Sequence, residues 1–191
     1  MNTGESTPPR RMRADARRNY DRLLASAATA FAERGTDASL EEIARRAGVA
    51  NGTLYSHFPN RQALLEALLG DRMRALAATG EELLGRSSPF EALAAWAEAA
   101  VAHAARYRGL GASFMRAIED ESSDLHAACE AVLAAGERLV ARARAAGELR
   151  EDVTAPDLYA LVNAMAWVGE QSSPAQGERL LTFTLDGLRA R

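Results

Sequence analysis

An all-α chain of about nine helices is what the sequence predicts, and three observations predict it. Apolar residues recur at spacings of three and four along nearly the whole chain, no segment alternates apolar and polar residues as a half-buried strand would, and the interruptions carry helix caps or stops. The 191 residues are 48% apolar and 26% charged, an ordinary globular balance with room for a sizeable core. Cys129 is the one cysteine, which excludes an intramolecular disulfide and fits a reducing interior. No apolar run reaches the roughly 20 residues of a membrane span, and the polar start has no apolar signal core. A cytoplasmic protein with no membrane partner is therefore expected.

Residues 1–15 hold Pro8, Pro9, Arg10, Arg11 and Arg13 and read as a disordered basic arm. Arg10, Arg11 and Arg13 suit phosphate or a minor groove, as in other basic arms, and a solvated tail has the same composition. The first helix runs from about Ala16 with Tyr20, Leu23, Leu24, Ala27, Ala28 and Phe31 on one stripe, and Gly35 stops it.

Ser39 and Glu42 form an S-x-x-E capping box that opens a second helix near Leu40. Leu40, Ile43, Ala44 and Ala47 are its apolar stripe, Gly48 can end it in the left-handed conformation, and Val49 is a buried turn residue. A short third helix over residues 51–57 turns Leu54 and Phe58 inward. Asn51, Thr53, Tyr55, Ser56 and His57 face outward. Two short helices at a sharp angle, the second polar and aromatic on its outer face, have the layout of a DNA-reading helix-turn-helix.

Pro59 and Asn60 break the chain, and Asn60 caps a long helix through Leu64, Leu65, Leu68, Leu69, Met73 and Leu76 to about Leu84. It starts in the head and ends in the body, a mechanical connector. Ser88-Pro89-Phe90-Glu91 opens the next helix with a second capping box, and Leu93, Trp96, Ala97, Ala100, Val101 and Ala104 continue it. Gly109 and Gly111 flank a shorter element with Phe114, Met115 and Ile118. Ser122 or Ser123 caps a helix ending at Gly147. Thr154 with Asp157 caps the next, and Ser173-Pro174 starts the last.

Net charge is −3, unpromising for a DNA binder, but its distribution reverses that reading. Residues 1–75 carry 12 Arg against 9 acidic residues, a balance of +3, and residues 76–191 carry 11 against 17, a balance of −6. A basic head on an acidic body orients a protein toward phosphate. All 23 basic residues are Arg, which reads as compositional bias.

Ile43-Ala44, Gly48-Val49, Gly52-Thr53-Leu54-Tyr55, His57-Phe58 and Ala63-Leu64-Leu65 resemble the pattern of the TetR (tetracycline-repressor) family over residues 16–76. Two positions depart from it. Ala50 stands where the family often has a small hydroxyl capping the recognition helix, leaving Asn51 to take over the cap, and Arg61 stands where Lys is common. The resemblance implies three parts: the arm at 1–15, a DNA-binding domain at 16–76 with its motif at 39–58, and a ligand-binding and dimerisation domain at 77–191.

The candidate DNA contacts are Ala50, Asn51, Gly52, Thr53, Tyr55, Ser56, His57 and Arg61. Asn pairs with adenine through two hydrogen bonds, Thr meets a base edge or a thymine methyl, and Gly52 permits close backbone approach. By resemblance, Tyr55 and His57 hold phosphates, which sets register without reading sequence. Arg61 adds its charge to the positive start of its helix. Arg45 and Arg46 lie near the duplex backbone or on a solvated face.

In the body, Trp96, His103 and Tyr107 share one helical face, and Phe114, Met115, Met165 and Trp167 come from other helices. Aromatics and Met around a few polar groups make a candidate small-molecule pocket, and equally an ordinary core. The last two helices are apolar on more than one side. By resemblance they form a four-helix dimer interface, through Leu158, Leu161, Met165, Leu181, Leu185 and Leu188. One recognition helix touches too few bases to be selective, which also asks for a dimer. His126, Cys129 and Glu130 lie within one turn, but a metal site wants three or four convergent ligands, so no metal and no cofactor is expected.

The expected function is a homodimeric transcriptional regulator, a repressor that binds double-stranded operator DNA and is released by a small-molecule effector. It is not an enzyme: HExxH, paired Glu-x-x-His, P-loop and nucleophile-elbow motifs are all absent. The alternatives are a helical-bundle metal-binding protein or enzyme with an incidental helix-turn-helix, and a DNA-binding regulator without a ligand.

Overall fold

Helical spacing carries through into structure. The computed structural model describes residues 10–104 and 123–190, with the side chains of residues 10–13 and 36 outside the description. Eight α-helices form among the described residues: α1 (Arg10–Arg34), α2 (Leu40–Ala47), α3 (Asn51–His57), α4 (Arg61–Leu83), α5 (Pro89–Ala104), α6 (Asp124–Ala145), α7 (Ala155–Gln171) and α8 (Pro174–Leu188). A 3-10 turn, Gly35–Asp37, links α1 to α2. Among the described residues the one extended pairing is an isolated antiparallel bridge between Leu149 and Arg189. The element expected around Phe114, Met115 and Ile118 lies outside the described residues.

α1 begins at Arg10 rather than near Ala16. The basic stretch after Pro9 has no helix breaker, and Arg is a good helix former, so the helix extends into what reads as arm. The chain divides into two compact units, Met1–Leu68 and Leu69–Arg191, with the division falling inside α4.

In the first unit, Leu23, Ala27 and Phe31 of α1 are buried with Ile43, Ala44 and Ala47 of α2, Leu54 of α3 and Leu64 of α4. Gly48 ends α2 at φ 63°, where a side chain would be strained. The amide of Val49 donates to the carbonyl of Ala44 at 3.0 Å, closing the helix end. A β-carbon on Gly48 would also meet a guanidinium nitrogen of Arg22 at 2.5 Å.

In the second unit, α5 is the central helix and Trp96 its largest buried side chain, 1% exposed. Its ring meets Tyr159 of α7 edge-on at 6.2 Å. Gly136 of α6 lets the helices close on it: a β-carbon there would meet the Tyr159 hydroxyl at 2.5 Å and the Trp96 ring at 2.9 Å. α7 and α8 approach closely where Gly177 faces the Met165 carbonyl.

The caps separate into those the sequence reads in full and those it reads in half. Thr154 and Asp157 make a complete box: the Asp157 carboxylate accepts from the Thr154 amide at 2.9 Å, and the Thr154 hydroxyl accepts from the Asp157 amide at 3.4 Å. These bonds hold the Asp157 carboxyl below its usual range. Ser123, Ser173 and Asn60 cap α6, α8 and α4 as expected. At α5, Ser88 accepts from the Glu91 amide at 3.4 Å, but Glu91 turns to Arg189. Glu148, from the loop after α6, accepts from the Phe90 amide at 2.7 Å instead. The pattern S-x-x-E cannot foresee a stronger, charged partner arriving from a distant part of the chain.

Candidate nucleic-acid interface

Ser39 opens α2 by accepting from the Glu42 amide at 3.3 Å, and the box stops there. The Glu42 carboxylate accepts from Arg45 at 2.8 Å and from Arg46 at 2.8 Å in place of reaching back to the cap. Arg46, then Arg45, hold its carboxyl down at about 2. Arg46 also reaches Glu33 at 2.8 Å. Both arginines expected near the duplex are thus paired with carboxylates.

The outer face of α3 is built as the spacing requires. Leu54 and Phe58 are buried, Asn51, Gly52, Tyr55 and Ser56 are exposed, and Thr53 and His57 are part-buried. α3 has Ala50 at its N-cap with no side-chain cap bond, and Asn51 is the first residue within the helix. The expected takeover of the cap by Asn51 does not occur, because the capping geometry belongs to the residue before the helix. Its amide stays exposed toward whatever α3 faces.

The Tyr55 hydroxyl donates to Glu41 at 3.3 Å, and the Ser39 hydroxyl donates to the same carboxylate at 2.6 Å. The Ser39 bond leads in holding the Glu41 carboxyl below its usual range. The Ser56 hydroxyl turns back to the Thr53 carbonyl at 2.8 Å. His57 sits edge-on to Tyr20 of α1, ring centroids 6.0 Å apart. Arg61, at the start of α4, donates to the Ala38 carbonyl.

Three contributors are not legible as site residues in the sequence. Tyr20 reads only as part of the stripe of α1, and no motif in the sequence singles out Glu41 or Arg22. Arg22 donates to the Gly48 carbonyl at 3.0 Å and ties α1 to the turn between α2 and α3. The bond spans 26 positions of chain, and no local pattern marks it.

In the second unit the described members of the expected pocket set, Trp96, His103, Met165 and Trp167, differ in their surroundings. Trp96 is in the core, His103 is part-buried near the end of α5, and Tyr107, Phe114 and Met115 lie outside the described residues. Trp167 is 61% exposed on α7, away from any core. Of the described members of the set, Met165 lines a groove of about 840 Å³ between α5, α7 and α8, with Val101, Ala166 and Leu181 as apolar walls and Glu98 and Glu178 beside them.

The expected dimer residues divide in the same way. Leu158, Leu181 and Leu185 are buried in the chain's own core, while Leu161, Met165 and Leu188 are part-buried. The large exposed apolar groups on α7 and α8 are Trp167 and Phe183. Among the described residues no group of three or more His, Cys, Asp or Glu stands close enough to hold a metal ion. Burial and neighbouring Glu130 push the Cys129 thiol up to about 11. Among them also, no helix is long and apolar enough to cross a membrane.

A helix-turn-helix ahead of an all-helical unit defines a class, the DNA-reading regulators. Comparison with known proteins narrows it. Residues 23–68 match the family described as bacterial regulatory proteins, tetR family, and residues 88–190 match the C-terminal domain of SbtR-like transcriptional regulators. The chain belongs to the TetR family of bacterial regulatory proteins.

A TetR transcriptional regulator from Streptomyces coelicolor has a similar structure, with 36% identity and a TM-score of 0.74 over 90% of this chain and 98% of that one. The HTH-type transcriptional regulator TtgW of Pseudomonas putida is 34% identical over 85 residues, 44% of this chain and 63% of its own length. The HTH-type transcriptional repressor KstR2 of Mycolicibacterium smegmatis is 39% identical over 75 residues, 38% of this chain and 37% of its own. The chain thus spans less than two thirds of the length of these two curated relatives.

Proposed function

We propose that the chain is a homodimeric transcriptional repressor that works in the cytoplasm, binds double-stranded operator DNA through α3 and is released by a small-molecule effector held in the second unit. The observation that carries this reading is the exposed face of α3, where Asn51, Gly52, Tyr55 and Ser56 stand together on a helix anchored from behind by buried Leu54 and Phe58. Asn51 and Thr53 read bases, and Ala50, Gly52 and Ser56 lie against the duplex. Tyr55, His57 and Arg61 hold phosphates. The similarity of KstR2, a repressor by name, supports the sign of regulation.

Trp167 and Phe183, with part-buried Leu161, suit the dimer contact, since two large apolar groups on adjacent helices are costly in water. Effector binding beside Met165 would act through α4, which runs through the division between the units. A tilt of α4 would change the separation of two recognition helices, and half-sites on DNA are at fixed positions, so one state would bind and the other would not.

The test is a gel shift with duplex DNA from upstream of the chain's own gene. Wild type shifts the duplex, and Tyr55→Ala shifts it far more weakly; undiminished binding by the variant overturns the assignment of α3. A regulator without a ligand is distinguished by thermal-shift screening with diverse metabolites, since a ligand of the folded state raises the midpoint.

A further inference from the structure

Tyr20 belongs to α1, the helix behind the helix-turn-helix, yet its ring does more than fill the core. It is part-buried and lies at the meeting of three other side chains. Phe58, 2% exposed, meets it at 5.1 Å with the rings tilted by 38°. His57 meets it at 6.0 Å with the planes at 72°, an edge-to-face arrangement. The guanidinium of Arg17, one turn earlier on α1, donates to the Asp21 carboxylate at 3.0 Å, and its carbon stands 5.6 Å from the Tyr20 ring centroid. Phe58 alone would account for an apolar group at this position. It does not account for a ring that also gathers an imidazole and a guanidinium.

His57 closes α3, and its ring also meets Phe58 at 6.1 Å, so among the described residues ring packing is what limits the side chain's rotation. Aromatic edge-to-face pairs are directional, and a cation beside a ring face adds attraction of its own. A phosphate contact from a long or freely turning side chain gives up conformational freedom on binding, and one held in place in the free protein gives up less. The Tyr20 ring thus acts on the imidazole before any DNA arrives.

We propose that Tyr20 is a positioning residue for DNA binding: its ring orients the His57 imidazole at the end of α3, and brings Arg17 to the same edge of the first unit as a second phosphate contact. This rests on the DNA-binding reading above and extends it from α3 to α1. Tyr20 itself touches no DNA. Its contribution passes through His57 and Arg17, and the aromatic ring carries it rather than the hydroxyl.

The experiment is a double-mutant cycle on the full chain, with affinity for the upstream duplex measured for wild type, Tyr20→Leu, Tyr20→Phe, His57→Ala and Tyr20→Leu/His57→Ala. Leu keeps an apolar contact with Phe58 and removes the ring, and Phe keeps the ring and removes the hydroxyl. Tyr20→Leu should weaken binding about fivefold to tenfold, the scale of one hydrogen bond lost per half-site. Tyr20→Phe should stay within about twofold of wild type. In the His57→Ala background the further loss should shrink to what Arg17 contributes, about twofold. Equal losses from Tyr20→Leu in both backgrounds overturn the proposal, because a packing defect would not depend on His57. An unaltered affinity in Tyr20→Leu overturns it as well.

A readout without DNA separates this from the functional reading. In the free protein the His57 ring protons should carry a ring-current shift that Tyr20→Phe retains and Tyr20→Leu reduces to the part due to Phe58. Its absence in wild type refutes the orientation of His57, whereas a wild type that shows it and leaves every duplex unshifted refutes DNA binding.

Discussion

The Tyr55 hydroxyl donates to Glu41 at 3.3 Å, so the aromatic group expected to hold a phosphate rests on a carboxylate in the free chain. On DNA the hydroxyl must exchange that partner for a phosphate oxygen, and the carboxylate remains beside the duplex as a repulsive charge. Glu41→Ala should therefore bind the upstream duplex more tightly than wild type, by about threefold to tenfold, since one unfavourable charge is worth on the order of 1 kcal/mol at such a site. Titration by fluorescence anisotropy reads this directly. Weaker binding would mean that Glu41 positions Tyr55 rather than restraining it.

α3 begins without a side-chain cap, at Ala50. Ala50→Ser supplies the missing acceptor for an amide of the first turn, and a cap of this kind contributes about 0.5–2 kcal/mol. The thermal midpoint should rise by a few degrees. Asn51→Ala should leave the midpoint nearly unchanged and weaken discrimination between operator variants, since Asn51 sits inside the helix with its amide exposed. A fall in midpoint with Asn51→Ala would return the residue to a capping role.

Glu42, drawn down to about 2 from an ordinary 4.5 by Arg46 and Arg45, makes an acid-sensitive joint on α2. A depressed carboxyl favours the folded state fully above its unfolded value, and that contribution fades as pH falls through the folded value. The relevant window runs from 4.5 down to about 2. Wild type should lose more of its thermal midpoint across that window than Glu42→Gln, which has no such proton to take up. The difference should be small, because solvent screens an exposed group. Parallel curves for the two proteins would count against the ion-pair network.

Trp167 and Phe183, 61% and 63% exposed, identify the outer faces of α7 and α8 as the proposed dimer contact. Trp167→Glu/Phe183→Glu should fold normally and run as a monomer in light scattering, with DNA affinity reduced along with the second half-site. Leu158→Glu should instead unfold the chain, because that side chain is 1% exposed in the core. A double variant that remains dimeric would move the interface elsewhere.

Much of this was legible in the sequence where one local pattern decides the outcome. The stripe of Leu40, Ile43 and Ala44, the left-handed turn at Gly48 and the box of Thr154 with Asp157 all depend on neighbours within a few residues, and all form as read. What was not legible depends on competition between partners or on which of two apolar faces turns inward. Glu42 and Glu91 fit capping boxes, but arginines offer their carboxylates charged bonds. α7 and α8 are apolar on both sides, so periodicity alone could not tell that Leu158 and Leu181 face the core while Trp167 faces out. Tyr20 and Arg22 act across the fold, and spacing says nothing of such contacts.

The central claim is that the basic first unit grips DNA through phosphates as well as bases, and the salt dependence of binding tests it most directly. With the upstream duplex, the logarithm of the binding constant should fall linearly with the logarithm of salt concentration, by about 0.9 per phosphate neutralised. A dimer with the Arg61 guanidinium on a phosphate of each half-site would lose at least about tenfold in affinity between about 50 and 200 mM salt. An affinity that does not change across that range would contradict the account.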